Sequence, residues 1–351
     1  MVFSELILKI PYSIAWRIIN TFRKKKEISF YCDNELDYIV FKNIHKHLNN
    51  ITFIAKNKKV QEDLKKYNIE SKLYPQFPNV LIIARVSLHK FPEKRIIKIG
   101  MQHGVYHFKN FISAKKYNRF DLYFLSSKYE IEEAKKHGMK NLVSTSYPKV
   151  DDFFDKEKIE EFEKCKSKFN NKPILLFTAT WDKSGLSAVE KWYDKLNLLK
   201  NEYHIFVTLH PWISEEFKSK FQSTQGIHFI TDSDIAKYLY ISDYLIGDTS
   251  SVIGEYLALQ KPIITFKINT QGRLTQNIVD MIKDISYQIN TFEEIAPTIK
   301  KINNTGDIKK EIYPKYIEKL YDLPLGNGGK QRADIIKEFL KERGGLIYNL
   351  G

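Results

Sequence analysis

Tyr244-Leu245-Ile246-Gly247-Asp248-Thr249-Ser250-Ser251 packs three elements into one short stretch. An apolar run with strand character leads to a turn at Gly247-Asp248. Two hydroxyl residues then stand where they can cap a helix starting near Val252. A strand that turns straight into a helix is half of a βαβ unit, and a short run without polar alternation suits a parallel sheet covered on both faces. The same grammar continues on both sides. Pro262–Phe266 reads as the next strand, and Pro173–Thr178, His204–Leu209 and Ile227–Ile230 as strands upstream. Helices fit between them at Ser187–Lys200, Asp234–Tyr240 and Ser251–Leu259.

The first half repeats the pattern. Ile28–Cys32, Ile51–Ala55, Val80–Ala84, Arg95–Ile99, Asp121–Ser126 and Leu142–Ser144 read as strands. Glu35–Leu48, Lys58–Tyr67 and Lys128–His137 read as helices. A charged, helical stretch over 148–172 separates the halves, and a last helix, Lys330–Lys341, follows the turn-rich Gly326-Asn327-Gly328-Gly329. The expected architecture is two Rossmann-like α/β domains with a cleft between them, ligands lying at the carboxyl ends of the strands.

With 351 residues, 43% of them hydrophobic, the chain can bury two cores. A formal net charge of +14 bears on partners more than on fold. Nucleic acid, an anionic membrane surface and a phosphorylated substrate all fit such a surplus. Nucleic acid is excluded as a partner in this reading, because no recognition signature appears and the aromatic residues sit in apolar runs. Cys32 and Cys165 have neither CxxC spacing nor histidines at ligand distance, so neither a disulfide framework nor a zinc site is expected, and a reducing cytoplasm is the default. No metal or other cofactor is expected.

Near the start, Phe3, Leu6, Ile7, Ile10, Ile14, Ile18 and Phe22 recur at three- and four-residue steps and lead into Arg23-Lys24-Lys25-Lys26. Lys9, Pro11 and Arg17 interrupt the stretch, and no small-residue cleavage site follows, so it reads as neither a signal peptide nor a membrane span. Two readings stand: an amphipathic helix lying on anionic lipid, or a helix covering the N-terminal domain.

Three places carry candidate chemistry. In Gly100-Met101-Gln102-His103-Gly104 a histidine follows a strand, where a neutral imidazole can take a proton from a hydroxyl nucleophile or simply hold the loop. His107 is close by in a less pointed setting. In Leu209-His210-Pro211-Trp212 a second strand ends in a histidine that can donate to a phosphate or to backbone. At Asp248–Ser251 capping hydroxyls, backbone N–H groups and a helix start together suit an anion, with Glu255 one turn further on the same face.

Several motifs in order then resemble the CDP-glycerol glycerophosphotransferases, enzymes of teichoic-acid synthesis. They are Gln102-His103-Gly104; Ser146-Tyr147-Pro148-Lys149-Val150-Asp151; Thr178-Ala179-Thr180-Trp181; the run from Leu209-His210-Pro211 through Asp234-Ile235, Leu239-Tyr240 and Ser242-Asp243 to Asp248–Ile253; Lys261-Pro262-Ile263-Ile264; and Asn327–Arg332. The resemblance implies a GT-B-like fold. With the pattern of elements, the chain is expected to divide into an amphipathic basic segment (1–27), an N-terminal Rossmann-like acceptor domain (28–150), a linker helix (151–172), a C-terminal Rossmann-like nucleotide-donor domain (173–325) and a C-terminal helix crossing back to the first domain (326–351), the resemblance itself covering roughly Ile96 to the C terminus. The resemblance implies His103 as general base and His210 as phosphate contact. Ser250, Ser251, Thr249 and Lys183 would hold the donor phosphates, and Asp248, Glu255, Thr180 and Trp181 the rest of the donor.

Three places depart from the family pattern. Gln102 stands where the family has Trp, Thr249 where it has Tyr, and Asp182-Lys183 where it commonly has Arg-Asp. Loss of that arginine removes a bidentate phosphate clamp, for which Lys183 is a partial substitute. The expected reaction is transfer of a polyol phosphate from CDP-glycerol, CDP-ribitol or another CDP-activated donor to a hydroxyl of a polymer or lipid-linked acceptor, with release of CMP. The expected location is cytoplasmic, peripheral on the inner face of the cell membrane. The rival reading is a GT-B glycosyltransferase using a nucleotide-sugar in capsule or lipopolysaccharide synthesis.

Overall fold

In a computed structural model the described residues are 3–106, 113–169, 171–270 and 272–343, with side chains from Lys9 onward; His107 lies outside them. The chain divides into two compact units. The first takes residues up to His103, then 113–151 and 321–343; the second takes 104–106 and 152–320.

In the first unit, helix α1 (Phe3–Phe22) precedes β1 (Ile28–Cys32), α2 (Glu35–His45), β2 (Ile51–Ala55), α3 (Lys58–Lys65), β3 (Ser71–Leu73), β4 (Val80–Ile83), β5 (Ile97–Met101), α4 (Ala114–Tyr117), β6 (Leu122–Leu125), α5 (Lys128–Lys136) and β7 (Leu142–Ser144). The strands form one parallel sheet in the order β3-β2-β1-β4-β5-β6-β7. β1, β4 and β6 are buried at every residue, which is why they read as unbroken apolar runs. β5 begins and ends two residues later than the sequence suggests. Gly100 is part of this strand rather than beyond its end: a Cβ there would fall 2.4 Å from the Tyr123 ring and 2.8 Å from that of Phe120, so glycine is what lets the aromatic pair close over the sheet.

Helix α1 is docked along one side. Tyr12 Oη donates to the Gln76 carbonyl and Trp16 Nε1 to that of Pro78, each at 2.7 Å. Arg23 Nη1 donates to the Phe77 carbonyl at 2.9 Å. The opposite side carries Ile10, Ile14, Ile18 and Phe22, exposed at 69, 54, 57 and 81%. At 100° per residue these two sets lie on opposite faces. The docked face fits a helix that covers the N-terminal domain, and the other face stays exposed. No described helix is long and apolar enough to cross a membrane.

Two motifs from opposite ends of the resemblance meet inside this unit. Both Asp151 carboxylate oxygens accept backbone N–H groups, from Gly328 at 3.0 Å and Gly329 at 2.7 Å, at the start of the helix Gly328–Glu342. A Cβ on Gly328 would lie 2.4 Å from the Ser146 carbonyl oxygen, and one on Gly329 would lie 2.3 Å from that of Asn43. Arg332, fully buried, donates from Nε to Thr145 Oγ1 at 2.8 Å. This cluster anchors the C-terminal helix, which starts inside the glycines rather than at Lys330 as expected.

The second unit runs through α6 (Lys156–Lys166), β8 (Ile174–Ala179), β9 (His204–Leu209), α7 (Glu215–Ser223), β10 (Ile227–Phe229), α8 (Ala236–Ile241), β11 (Tyr244–Gly247), α9 (Val252–Leu257), β12 (Ile263–Phe266), α10 (Gln276–Ile285), β13 (Tyr287–Ile289), α11 (Ile295–Thr305) and α12 (Tyr313–Leu320). Its strands are parallel in the order β10-β9-β8-β11-β12-β13. Leu175, Phe177, Val207, Ile246 and Ile264 form the centre of its core with Trp192. The expected helix over Ser187–Lys200 is instead a pair of 3₁₀ turns, Val189–Lys191 and Leu196–Leu198. Val189, Trp192, Leu196 and Leu199 each plug into the core; their steps of three and four residues are what reads as a helix in the sequence.

Candidate active site

His103 follows β5 by two residues and is exposed. Gln102, between them, points the other way and is fully buried. Its Nε2 donates to Ser126 Oγ and its Oε1 accepts from the Ser126 N–H, both at 2.9 Å. The residue that replaces the family's Trp is thus a fastener to β6, and it fixes the backbone from which His103 projects.

The three described residues after His103 belong to the second unit. Gly104 lies against Ser251: a Cβ would be 3.2 Å from Ser251 Oγ. Tyr106 is buried and holds a left-handed φ of 40°, unusual for a bulky side chain. Its hydroxyl donates to the Ser250 carbonyl and accepts from the Gly254 N–H. Burial first, then the charges of Asp248 and Glu255, push that hydroxyl well above the usual tyrosine range, so it stays a donor. Gly254 leaves room for the ring, since a Cβ there would sit 3.0 Å from it. Sequence reasoning missed Tyr106, because neither its φ nor its partner across the chain leaves a trace in local pattern.

Asp248 organises the turn after β11. It is 1% exposed and accepts from five donors: Thr180 N–H, Thr180 Oγ1, and the N–H groups of Ala188, Thr249 and Ser250, at 2.5–3.1 Å. Burial pushes its carboxyl above the usual carboxylate range, while the N–H of Ala188 and the Thr180 hydroxyl pull it back. Thr249 is also buried, its Oγ1 donating to the Leu186 carbonyl at 3.2 Å. Asp248, Thr180 and Thr249 therefore lie beneath the surface and tie the loop after β8 to the loop after β11, where the sequence reading expects them to touch a donor. Ser250 Oγ accepts from the Val252 N–H at 3.4 Å, whereas Ser251, at the cap position of α9, makes no side-chain cap bond. Capping thus falls to Ser250. Glu255 sits in the first turn of α9 and is buried.

His210 ends β9. Its Nδ1 accepts from the Trp212 N–H at 3.1 Å. A nitrogen that accepts carries no proton, so in the neutral ring Nε2 bears the hydrogen and is the donor. Trp212, 65% exposed, packs edge-on against His210 and against Trp181, with ring centroids 5.4 and 5.9 Å apart. Asp182 Oδ1 accepts from the Ser214 N–H at 2.9 Å, fastening the loop after β8 to the loop after β9. Lys183 is exposed beside it. In this way the structure gathers Thr180, Trp181, Lys183, His210 and Asp248–Ser251 at the carboxyl ends of β8, β9 and β11. Among the described residues no group of three or more His, Cys, Asp or Glu is placed to hold a metal ion.

A family model described as CDP-glycerol:poly(glycerophosphate) glycerophosphotransferase matches residues 92–328, which include every residue of this constellation. The chain belongs to that family. It is 26% identical over 188 residues to the teichoic acid poly(ribitol-phosphate) polymerase of Bacillus spizizenii, covering 50% of this chain and 29% of that protein. It is 29% identical over 181 residues to the teichoic acid glycerol-phosphate primase of Bacillus subtilis, covering 48% of this chain and 46% of that protein. The chain thus spans less than half the length of either relative. In structure it is similar to the wall teichoic acid polymerase TagF, with a TM-score of 0.70 at 16% identity over 97% of this chain and 98% of that one. A UDP-GlcNAc 2-epimerase from Neisseria meningitidis bound to UDP-GlcNAc shares the fold at a TM-score of 0.57 and 14% identity, over 90% of this chain and 100% of that one. The GT-B-like fold, with its two Rossmann-type units, is therefore shared with these structures.

Proposed function

We propose that the chain moves a glycerol-phosphate or related polyol-phosphate group from a CDP-activated donor to a hydroxyl of a teichoic-acid-like, cell-surface polysaccharide or lipid-linked acceptor, releasing CMP. His103 takes the proton of the acceptor hydroxyl, whose oxygen attacks the phosphorus distal to cytidine. The bond from that phosphorus to the bridging oxygen breaks, and CMP leaves with the electron pair. His210, through Nε2–H, and Ser250 and Ser251 stabilise the charge gathering on the phosphates. Lys183, Trp181 and Glu255 complete the donor site. Asp248, Thr180 and Thr249 hold the shape of its floor. The observation that carries this reading is Gly104 packed on Ser251, which puts the residue next to the candidate base against the candidate phosphate loop.

A thermal-shift comparison of CDP-glycerol, CDP-ribitol and UDP-sugars tests the donor. A CDP-polyol at 100 times its Kd should stabilise by about 2.7 kcal/mol. Stabilisation by UDP-sugars alone would make the chain a glycosyltransferase.

The exposed Ile10, Ile14, Ile18 and Phe22 stripe, followed by the exposed Lys24 and Lys25, supports an in-plane contact with the anionic inner face of the cell membrane. Full-length protein should float with phosphatidylglycerol vesicles, and the double variant Ile14→Asp, Ile18→Asp should stay behind. Because Tyr12 and Trp16 still dock the helix, the fold should be unchanged. Equal flotation of the two proteins would remove the membrane from the account.

A further inference from the structure

Arg273 lies between β12 and α10, in a turn where its N–H and that of Leu274 donate to the Thr270 carbonyl at 3.0 and 3.4 Å. Its Nη1 donates to the Ser184 carbonyl at 2.9 Å, in the loop after β8. The guanidinium presses on Gly185, where a Cβ would fall 1.3 Å from Nη1 and 2.4 Å from Cζ. Gly185 also holds φ at +67°. Glycine is needed there both for the left-handed turn and for the space the arginine fills.

The sheet order gives this contact its meaning. β11 lies between β8 and β12. An arginine rooted after β12 that touches the loop after β8 reaches past the carboxyl end of β11, where Thr249-Ser250-Ser251 stand. The loop after β8 is pinned to the same place, because Thr180 N–H and Ala188 N–H both donate to Asp248. Arg273 is exposed and makes no ion pair with a carboxylate among the described residues. A side chain that is exposed yet fixed against a carbonyl keeps its fork oriented, with most of its five N–H donors to spare.

We propose that Arg273 grips the diphosphate of the nucleotide-activated donor over the Ser250/Ser251 loop. It supplies from β12 the planar, bidentate recognition that Lys183 alone cannot give. The proposal rests on the donor site described above, though not on which base or polyol the donor carries.

Calorimetric titration of the full chain with CDP-glycerol, CDP, CMP and inorganic pyrophosphate tests it. Arg273→Ala should weaken CDP and CDP-glycerol by about 10- to 100-fold and CMP far less. Arg273→Lys should recover little of the loss. Gly185→Ala, which keeps the arginine but drives a methyl into its guanidinium, should reproduce the loss for CDP. Unchanged CDP affinity in Arg273→Ala, or full recovery in Arg273→Lys, overturns the clamp. Wild-type protein that binds CDP or pyrophosphate but not CDP-glycerol would remove the polyol donor, and the CDP titrations would still judge Arg273. Wild-type protein that binds none of the four overturns both.

Discussion

Replacing His103 by alanine is expected to slow CMP release from CDP-glycerol, with acceptor present, by about 10²- to 10⁴-fold, the usual worth of a general base. Donor affinity and melting temperature should barely move. The imidazole is exposed, and the backbone on either side of it is bonded independently: Gln102 to Ser126, and Tyr106 to the Ser250 carbonyl. The fall should therefore appear in kcat rather than in binding. His103→Gln, which keeps polarity without a proton acceptor of suitable pKa, should be as slow. Near-normal turnover by either variant would end the role of His103 as base.

Asp248→Ala should have the largest effect on stability. The substitution strips an acceptor from five buried donors at once. Each buried N–H left unsatisfied costs about 1–3 kcal/mol, and relaxation recovers part of the sum. A net loss of about 3–5 kcal/mol is expected, or a fall in Tm on the order of 10 °C. Asp248→Asn should recover only part, because its amide turns N–H toward N–H. Denaturant unfolding checks the value, and a loss below about 1 kcal/mol would mean the two loops are held by something else.

How much of this is written in the sequence differs from element to element. β1, β2, β7 and β9 begin and end where the sequence places them; for β1 and the middle of β9 the reason is burial at successive residues, since a strand buried on both faces is composed as an unbroken apolar run. β5 does not, because Gly100 ends the apolar run locally while its real reason is Tyr123, a neighbour only in space. Between Phe266 and Gly326 no helix or strand is expected, yet Ile278, Met281, Ile282 and Ile285 carry plain helical spacing for α10. Within the site, His103, His210 and Ser250 are legible as chemistry at strand ends. What Asp248 does is not, because its partners Thr180 and Ala188 are 68 and 60 residues away. Two motifs of the resemblance, Ser146–Asp151 and Asn327–Arg332, prove to bind one another. Their shared presence in the pattern reflects a joint in the scaffold more than the reaction.

The packing of Gly104, Val105 and Tyr106 on Ser251 and Gly254 bears on how such chains can be recombined. Chain order assigns these residues to the first half, but they are surrounded by the second. A chimaera spliced near residue 151 from two relatives would set a foreign strap on a native α9 and bring a mismatched side chain against Gly254. The natural seam falls after His103. A donor half transplanted together with its own strap, beginning at Gly104, takes its lock along with it.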